Sequence, residues 1–217
     1  DVPLMVAYRV LTGSTARRAR DLIRDGAIGD VVSVVGHMSD TILDSTGSDS
    51  WRLDPDLSGG TTINDIGIYP LNAMRFVLDE DPRAVQATTT AAQEAFDGVD
   101  EHAAFTLEFS DSLLGAVTVS HSADVTSSLR FVGTEGELTL EGVFFPSAEK
   151  VLRLSRGGND GEFRPSTNDQ MYEEFEYFAN HLQRGADFEP DGETALTDLR
   201  VIEALYDSAE TGERVEL

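Results

Sequence analysis

Asp65 and Tyr69 are the two residues of this chain whose types and spacing best suit proton transfer. They lie in the run Ser58-Gly59-Gly60-Thr61-Thr62-Ile63-Asn64-Asp65-Ile66-Gly67-Ile68-Tyr69-Pro70-Leu71-Asn72. Four apart on a helix, a carboxylate and a phenol share one face a turn from each other, and Gly67 leaves that surface open to a close neighbour. A phenol is a poor base at neutral pH and needs a cation beside it; an adjacent carboxylate acts the other way, so Asp65 is better suited to orient a donor or to pair with that cation. The structural alternative is a buried tyrosine whose hydroxyl caps a carboxylate. Asn64 and Asn72 flank the pair and offer hydrogen bonds to a substrate or to the helix itself. Trp51 and Arg52, in the polar stretch before the glycine pair, supply an aromatic face and a guanidinium that suit a sugar, or simply packing. The histidines His37, His102, His121 and His181 show no ligand spacing and cysteine is absent, so no metal is implied. His121 reads as structural.

The elements that must hold these residues follow from periodicity. Residues 4–9 (LMVAYR) read as a strand ending in Tyr8 and Arg9, and Ser14 as the N-cap of a helix to about Asp25. VVSVVGHM at 31–38 is a β-branched strand, and the aperiodic stretch TILDSTGSDSWRLDPDLSGG a long loop. Residues 61–78 have helical spacing, with Pro70 inside, where a kink or break is expected. From residue 84 the period becomes two: AVQATTTA, HAAFTLEF, LLGAVTVSH, SLRFVGT, GELTLEG and KVLRLS form a succession of strands. Helices at about 169–184 and 193–211 close the chain, with Tyr172, Phe175, Tyr177 and Phe178 assigned to the core. The expected fold is a single α+β domain, an open, mostly antiparallel sheet with helices packed on one face. The other face is a candidate surface for homo-oligomer formation. No strand, GxGxxG turn, helix and downstream acid occur in βαβ register, so the chain carries no Rossmann dinucleotide site of its own.

The stretch GGTTINDIGIYPLNAMRFVL resembles the GG-x-x-x-x-D-x-G-x-[HY]-x-x-[ND] signature in the C-terminal domain of the Gfo/Idh/MocA oxidoreductases, and its Tyr-Pro pair resembles the glucose-fructose oxidoreductase branch. AYRVLTGSTARRARDLIRDGAIGDVVSVVGHM is similar to the family's Y-R strand, helix and G-x-[IL]-G-x-[VI] turn, and VGTEGELTL to its later G-[ST]-x-G turn. The resemblance covers nearly the whole chain. It implies a two-domain enzyme whose N-terminal Rossmann domain holds NAD or NADP, with the substrate between the domains beside a lysine of a Glu-Lys-Pro motif. That motif does not occur here, and Lys150, the only lysine, matches no part of it. On the resemblance, Asp65 and Tyr69 are the catalytic pair, Tyr69 relaying the proton of the reacting hydroxyl. Tyr8 and Arg9 correspond to the strand end near the cofactor and substrate cleft. The chain is then expected to be the substrate-side domain of a sugar dehydrogenase acting on an aldose such as glucose or xylose, with its dinucleotide-binding domain upstream and no activity without it. The competing class is a non-catalytic carbohydrate-binding or assembly module.

Composition bounds the partners. Forty Asp and Glu against sixteen basic residues give a net charge of -24, which repels phosphate backbones and anionic lipid, so neither nucleic acid nor a membrane is an expected partner. Fifteen of the sixteen basic residues are arginine. A surface rich in acid and poor in lysine resembles those of salt-in halophiles, where molar salt screens like-charge repulsion to a few ångströms. No apolar run approaches a membrane span and the first residues have no signal pattern, giving the expectation of a cytoplasmic protein.

Overall fold

The computed structural model describes residues 2–166 and 169–217. Two helices open the described chain, α1 (Arg9–Thr12) and α2 (Ser14–Arg24), followed by β1 (Val31–Thr41), α3 (Ile42–Thr46), a 3-10 turn at Trp51–Leu53 and α4 (Pro55–Ser58). A π-helical turn, Ile63–Gly67, runs directly into α5 (Ile68–Leu78). Then come β2 (Ala84–Thr90), β3 (His102–Ser110), β4 (Leu113–Ser120), β5 (Ser122–Gly133), β6 (Gly136–Glu141), β7 (Val151–Arg156) and β8 (Asn159–Phe163). The helices α6 (Gln170–Arg184) and α7 (Gly192–Thr211) and the short β9 (Val215–Glu216) complete the chain.

The strands form one sheet in the order β8-β7-β6-β5-β1-β4-β3-β2-β9. Every neighbouring pair is antiparallel except β1 and β4, which run parallel with Val35 opposite Ala116. The sheet is two-sided in character, as its alternating sequence predicts. Ala103, Phe105, Leu107 and Phe109 of β3 and Leu113, Val117 and Val119 of β4 turn inward and are buried, while their neighbours face outward. Each fully buried side chain of this size stabilises the fold by about 1.5–3 kcal/mol. Helices α2, α5 and α7 cover the inner face, and α6 packs on α1 at its margin. Helix α5 lies close on β1 because residue 36 is glycine: a Cβ there would stand 2.9 Å from both Pro70 and Met74. The α+β fold expected from the sequence is therefore the fold observed, with its open face carrying exposed Val35, Leu114 and Val125 among Thr and Ser.

Several local expectations are overturned. Residues 4–9 are not a strand: Met5 makes one isolated bridge to Asp191, and Arg9 opens α1. Ser14 is the first helical residue of α2 and does not cap it; Gly13 occupies the cap position without a side-chain bond. The long loop is partly structured, containing the end of β1 and three short helical turns. Pro70 does not break its helix. A proline there would press its ring on the carbonyl of Ile66 in a regular α-helix, and the wider π turn just before it provides the room. The aromatic run on α6 is not core: Tyr172 is 57% and Phe175 72% exposed. Helix α6 lies at the margin of the layer: Tyr172 and Phe175 point outward, and Tyr177 and Phe178 are only half-buried, against Arg17 and Phe188. Strands β8 and β9 are additions; NDGEF is exposed at the sheet edge and carries no apolar alternation to announce it.

Candidate active site

The start of the 63–78 helix is fixed from another part of the chain. Asp100, buried just before β3, accepts hydrogen bonds from the amides of Thr61 (2.6 Å) and Ile63 (2.9 Å), satisfying amides that a helix N-terminus leaves without partners. Tyr206 of α7 donates to the same carboxylate at 3.1 Å; burial, reinforced by Asp100, raises the pKa of this phenol. Asn64 binds the carbonyls of Ser58, Gly59 and Gly60 through its amide nitrogen, tying the glycine turn to the helix.

On the frame so held, Asp65 and Tyr69 each meet an arginine, but different ones. Arg9 at the head of α1 donates from Nη1 to the Tyr69 hydroxyl at 2.6 Å and from Nη2 to the carbonyl of Phe144 at 2.7 Å. Its guanidinium lies 4.5 Å from the centroid of the Tyr69 ring. A cation therefore stands beside the Tyr69 hydroxyl within this chain. Asp65 pairs with Arg52, whose Nε is 3.3 Å from the carboxylate. Gly67 does not open this surface; it is buried and faces Phe105, with room for an ordinary methyl contact.

A second partner of Asp65 comes from the sheet. His121, between β4 and β5, has its side chain fully buried, with Nδ1 2.6 Å from Oδ1 of Asp40 at the end of β1 and Nε2 3.5 Å from Oδ2 of Asp65. Neither Asp40 nor a site role for His121 follows from the sequence pattern. The two are 81 residues apart and meet only because β1 and β4 pair in parallel.

The remaining sequence candidates are divided. Trp51 is 56% exposed, with the Arg52 guanidinium 4.7 Å from its ring centroid, and so belongs to the open rim beside Asp65 and not to the core. Tyr8 lines a cavity of about 150 Å³ with Ala7, Val10, Ile68, Tyr69 and Asn72. Burial, together with the neighbouring Asp198, raises its pKa. Asn72 is buried and gives its amide to Asp198 at 2.7 Å, which places it in the ion cluster under the site. Lys150 is buried between the carbonyls of Pro146 (2.6 Å) and Ala148 (2.9 Å), and burial lowers its pKa. A larger recess, about 850 Å³, is bordered by Gly60, Glu94, Asp97 and Tyr206; it is a wide groove without a cation on its walls. The smaller cavity, by contrast, is lined by Tyr69, whose hydroxyl carries the Arg9 guanidinium. Among the described residues no group of three His, Asp or Glu side chains is placed to hold a metal ion, and no helix is long and apolar enough to cross a membrane.

Comparison with known proteins gives a consistent picture. Residues 16–139, more than half of the chain, match the GFO/IDH/MocA C-terminal domain. The chain is 44% identical to a D-xylose 1-dehydrogenase [NADP(+)] of Haloarcula marismortui, over all of this chain and 61% of that protein. It is 33% identical to D-xylose 1-dehydrogenase (NADP(+)) 2 of Haloferax volcanii, over all of this chain and 65% of that one. Among solved structures, aldose-aldose oxidoreductase from Caulobacter crescentus superimposes with a TM-score of 0.90 at 29% identity, over 99% of this chain and 64% of that chain. The chain therefore spans a little under two thirds of the length of these relatives.

Proposed function

This chain belongs to the GFO/IDH/MocA family, and on that premise we propose that it forms the substrate-side domain of an NADP- or NAD-dependent dehydrogenase that oxidises a CH–OH group of an aldose such as xylose or glucose. The single observation that carries the proposal is the hydrogen bond from Arg9 to Tyr69, a residue that lines a cavity and lies one helical turn from Asp65.

Oxidation of an alcohol carbon sends a hydride to an acceptor and a proton to a base. The nicotinamide, when bound, supplies the hydride acceptor. As phenolate, the Tyr69 oxygen takes the hydroxyl proton as hydride leaves the carbon, and the Arg9 guanidinium stabilises the negative charge shared between the two oxygens. Asp65, held by Arg52, accepts a hydrogen bond from a neighbouring sugar hydroxyl and fixes the ring relative to Tyr69. Trp51 offers its exposed face to the same sugar. Tyr8 and Arg9 are the residues of this chain that would face the nicotinamide, at a cavity whose 150 Å³ is well below the roughly 300–1,000 Å³ of complete small-molecule sites. The site is thus one wall of a cleft. A sheet of this topology offers no glycine-rich βαβ turn for a pyrophosphate, so a separate dinucleotide-binding domain would hold most of the cofactor, and these 217 residues alone would fold without turning over. Pairing of copies through the open sheet face, at Val35 and Leu114, is part of the same reading.

The test is reduction of NADP⁺ and NAD⁺ by the full-length protein with a panel of aldoses in molar salt. Turnover with xylose or glucose is the expected result. Binding of an aldose without turnover on any of them would favour the carbohydrate-binding module.

A further inference from the structure

We propose that Asp40 and His121 form a positioning dyad for Asp65, acting from beneath the site to fix its carboxylate toward the substrate. The inference rests on the assignment of Asp65 to the reacting site. The imidazole is fully buried, yet Nε2 has no hydrogen-bond partner and is aimed at the Asp65 carboxylate 3.5 Å away. The other nitrogen lies 2.6 Å from Asp40, close enough for a charge-assisted bond. Backbone bonds hold the ring's own residue in place: the His121 amide donates to the Glu101 carbonyl at 3.0 Å, and the His121 carbonyl accepts from Ile42 at 3.2 Å.

The donor inventory of the ring decides what this arrangement does. With hydrogen on Nδ1, facing Asp40, a bare Nε2 would direct its lone pair at a second carboxylate. Hydrogen on both nitrogens converts the two contacts into donor–acceptor pairs, and a buried imidazolium between two carboxylates is compensated on both sides. The charged groups around the ring are Asp40 from β1 and Asp65 from the π turn, with Arg52 on the far side of Asp65. The Glu101 carboxylate turns away, to the amides of Ala92 and Gln93. Asp65 is thereby gripped from two directions, by half-exposed Arg52 at the rim and by buried His121 below. A carboxylate held by the rim arginine alone would be free to swing, because an exposed ion pair contributes little to orientation.

The experiment compares His121→Asn, His121→Gln, Asp40→Asn and Asp65→Asn in the full-length enzyme, measuring kcat and KM for the sugar. A glutamine can return a donor toward Asp65, whereas an asparagine reaches only toward Asp40. His121→Asn and Asp40→Asn should lower kcat by about 10- to 100-fold, the scale on which supporting partners of a reacting group act, with KM little changed, and His121→Gln should recover part of the loss. An impaired Asp65→Asn with unimpaired His121 variants overturns the dyad alone, while an unimpaired Asp65→Asn overturns the site reading and the dyad with it. Should His121→Asn fail to fold, nitrogen NMR of the wild-type ring decides. Hydrogen on Nε2 supports the proposal, and a bare Nε2 overturns it.

Discussion

Arg9 and Tyr69, sixty residues apart in the chain, are joined by a 2.6 Å hydrogen bond in which the guanidinium donates to the phenol oxygen. The same guanidinium is anchored on the Phe144 carbonyl, so the cation is positioned by the turn between β6 and β7 as well as by α1.

If this oxygen exchanges the proton of the substrate hydroxyl, Tyr69→Phe should lower kcat by about a hundredfold or more, the lower range for a positioned acid or base. KM for the sugar should change much less, because the hydroxyl is needed chiefly in the transition state. Steady-state kinetics on the full-length enzyme check this, and an unchanged kcat would return Tyr69 to a packing role.

Beneath the site, fully buried Asp198 is paired with Arg75 and accepts from Asn72. Burial raises the Asp198 pKa even though Arg75 opposes it. Arg75→Met would leave this carboxylate without its cation, a loss of about 3–5 kcal/mol. Urea denaturation should report a lower midpoint with an unchanged slope.

The glycine pair acts through Gly60. Its φ is 108°, and a Cβ there would stand 2.3 Å from the Tyr206 ring. Gly60→Ala therefore combines backbone strain with a clash against the residue that braces Asp100, and should cost on the order of 1–3 kcal/mol. Thermal unfolding measures the loss. A shift indistinguishable from zero would show that Tyr206 can move aside without disturbing the helix start.

Glu101, 1% exposed, should make stability depend on acid. Burial alone would raise its pKa, but bonds from Ser122, Ala92 and Gln93 outweigh it and hold the carboxyl at about 2. A folded value below the unfolded 4.5 means that the contribution is fully present above about 4.5 and is lost as pH falls toward 2. Unfolding free energies measured across that window should decline in the wild type, with a shallower decline in Glu101→Gln. Equal slopes would assign the acid sensitivity to other carboxylates.

The local elements were legible because their signals are local. Alternation at 102–109 and 113–121 announces strands with one buried face, and the Asp and Gly residues at the ends of α6 and α7 serve as the caps that their types suggest. The Asp65, Tyr69 and glycine spacing marked the helix that carries the site. Periodicity records which residues share a face and says nothing of what that face meets. That is why the aromatic stripe of α6 reads as core although it lies at the margin, and why strand-like residues 4–9 pair with no sheet. The partners of the site are a matter of topology. Arg9 reaches Tyr69 because α1 packs beside α5, His121 meets Asp40 and Asp65 because β1 and β4 lie parallel beneath the π turn, and Asp100 caps a helix that begins 37 residues earlier. The amino-acid sequence by itself determined the elements and the residue types at the site. Only the tertiary structure decided which charge stands beside which, because chain segments distant in sequence come together only when the sheet buries its apolar face.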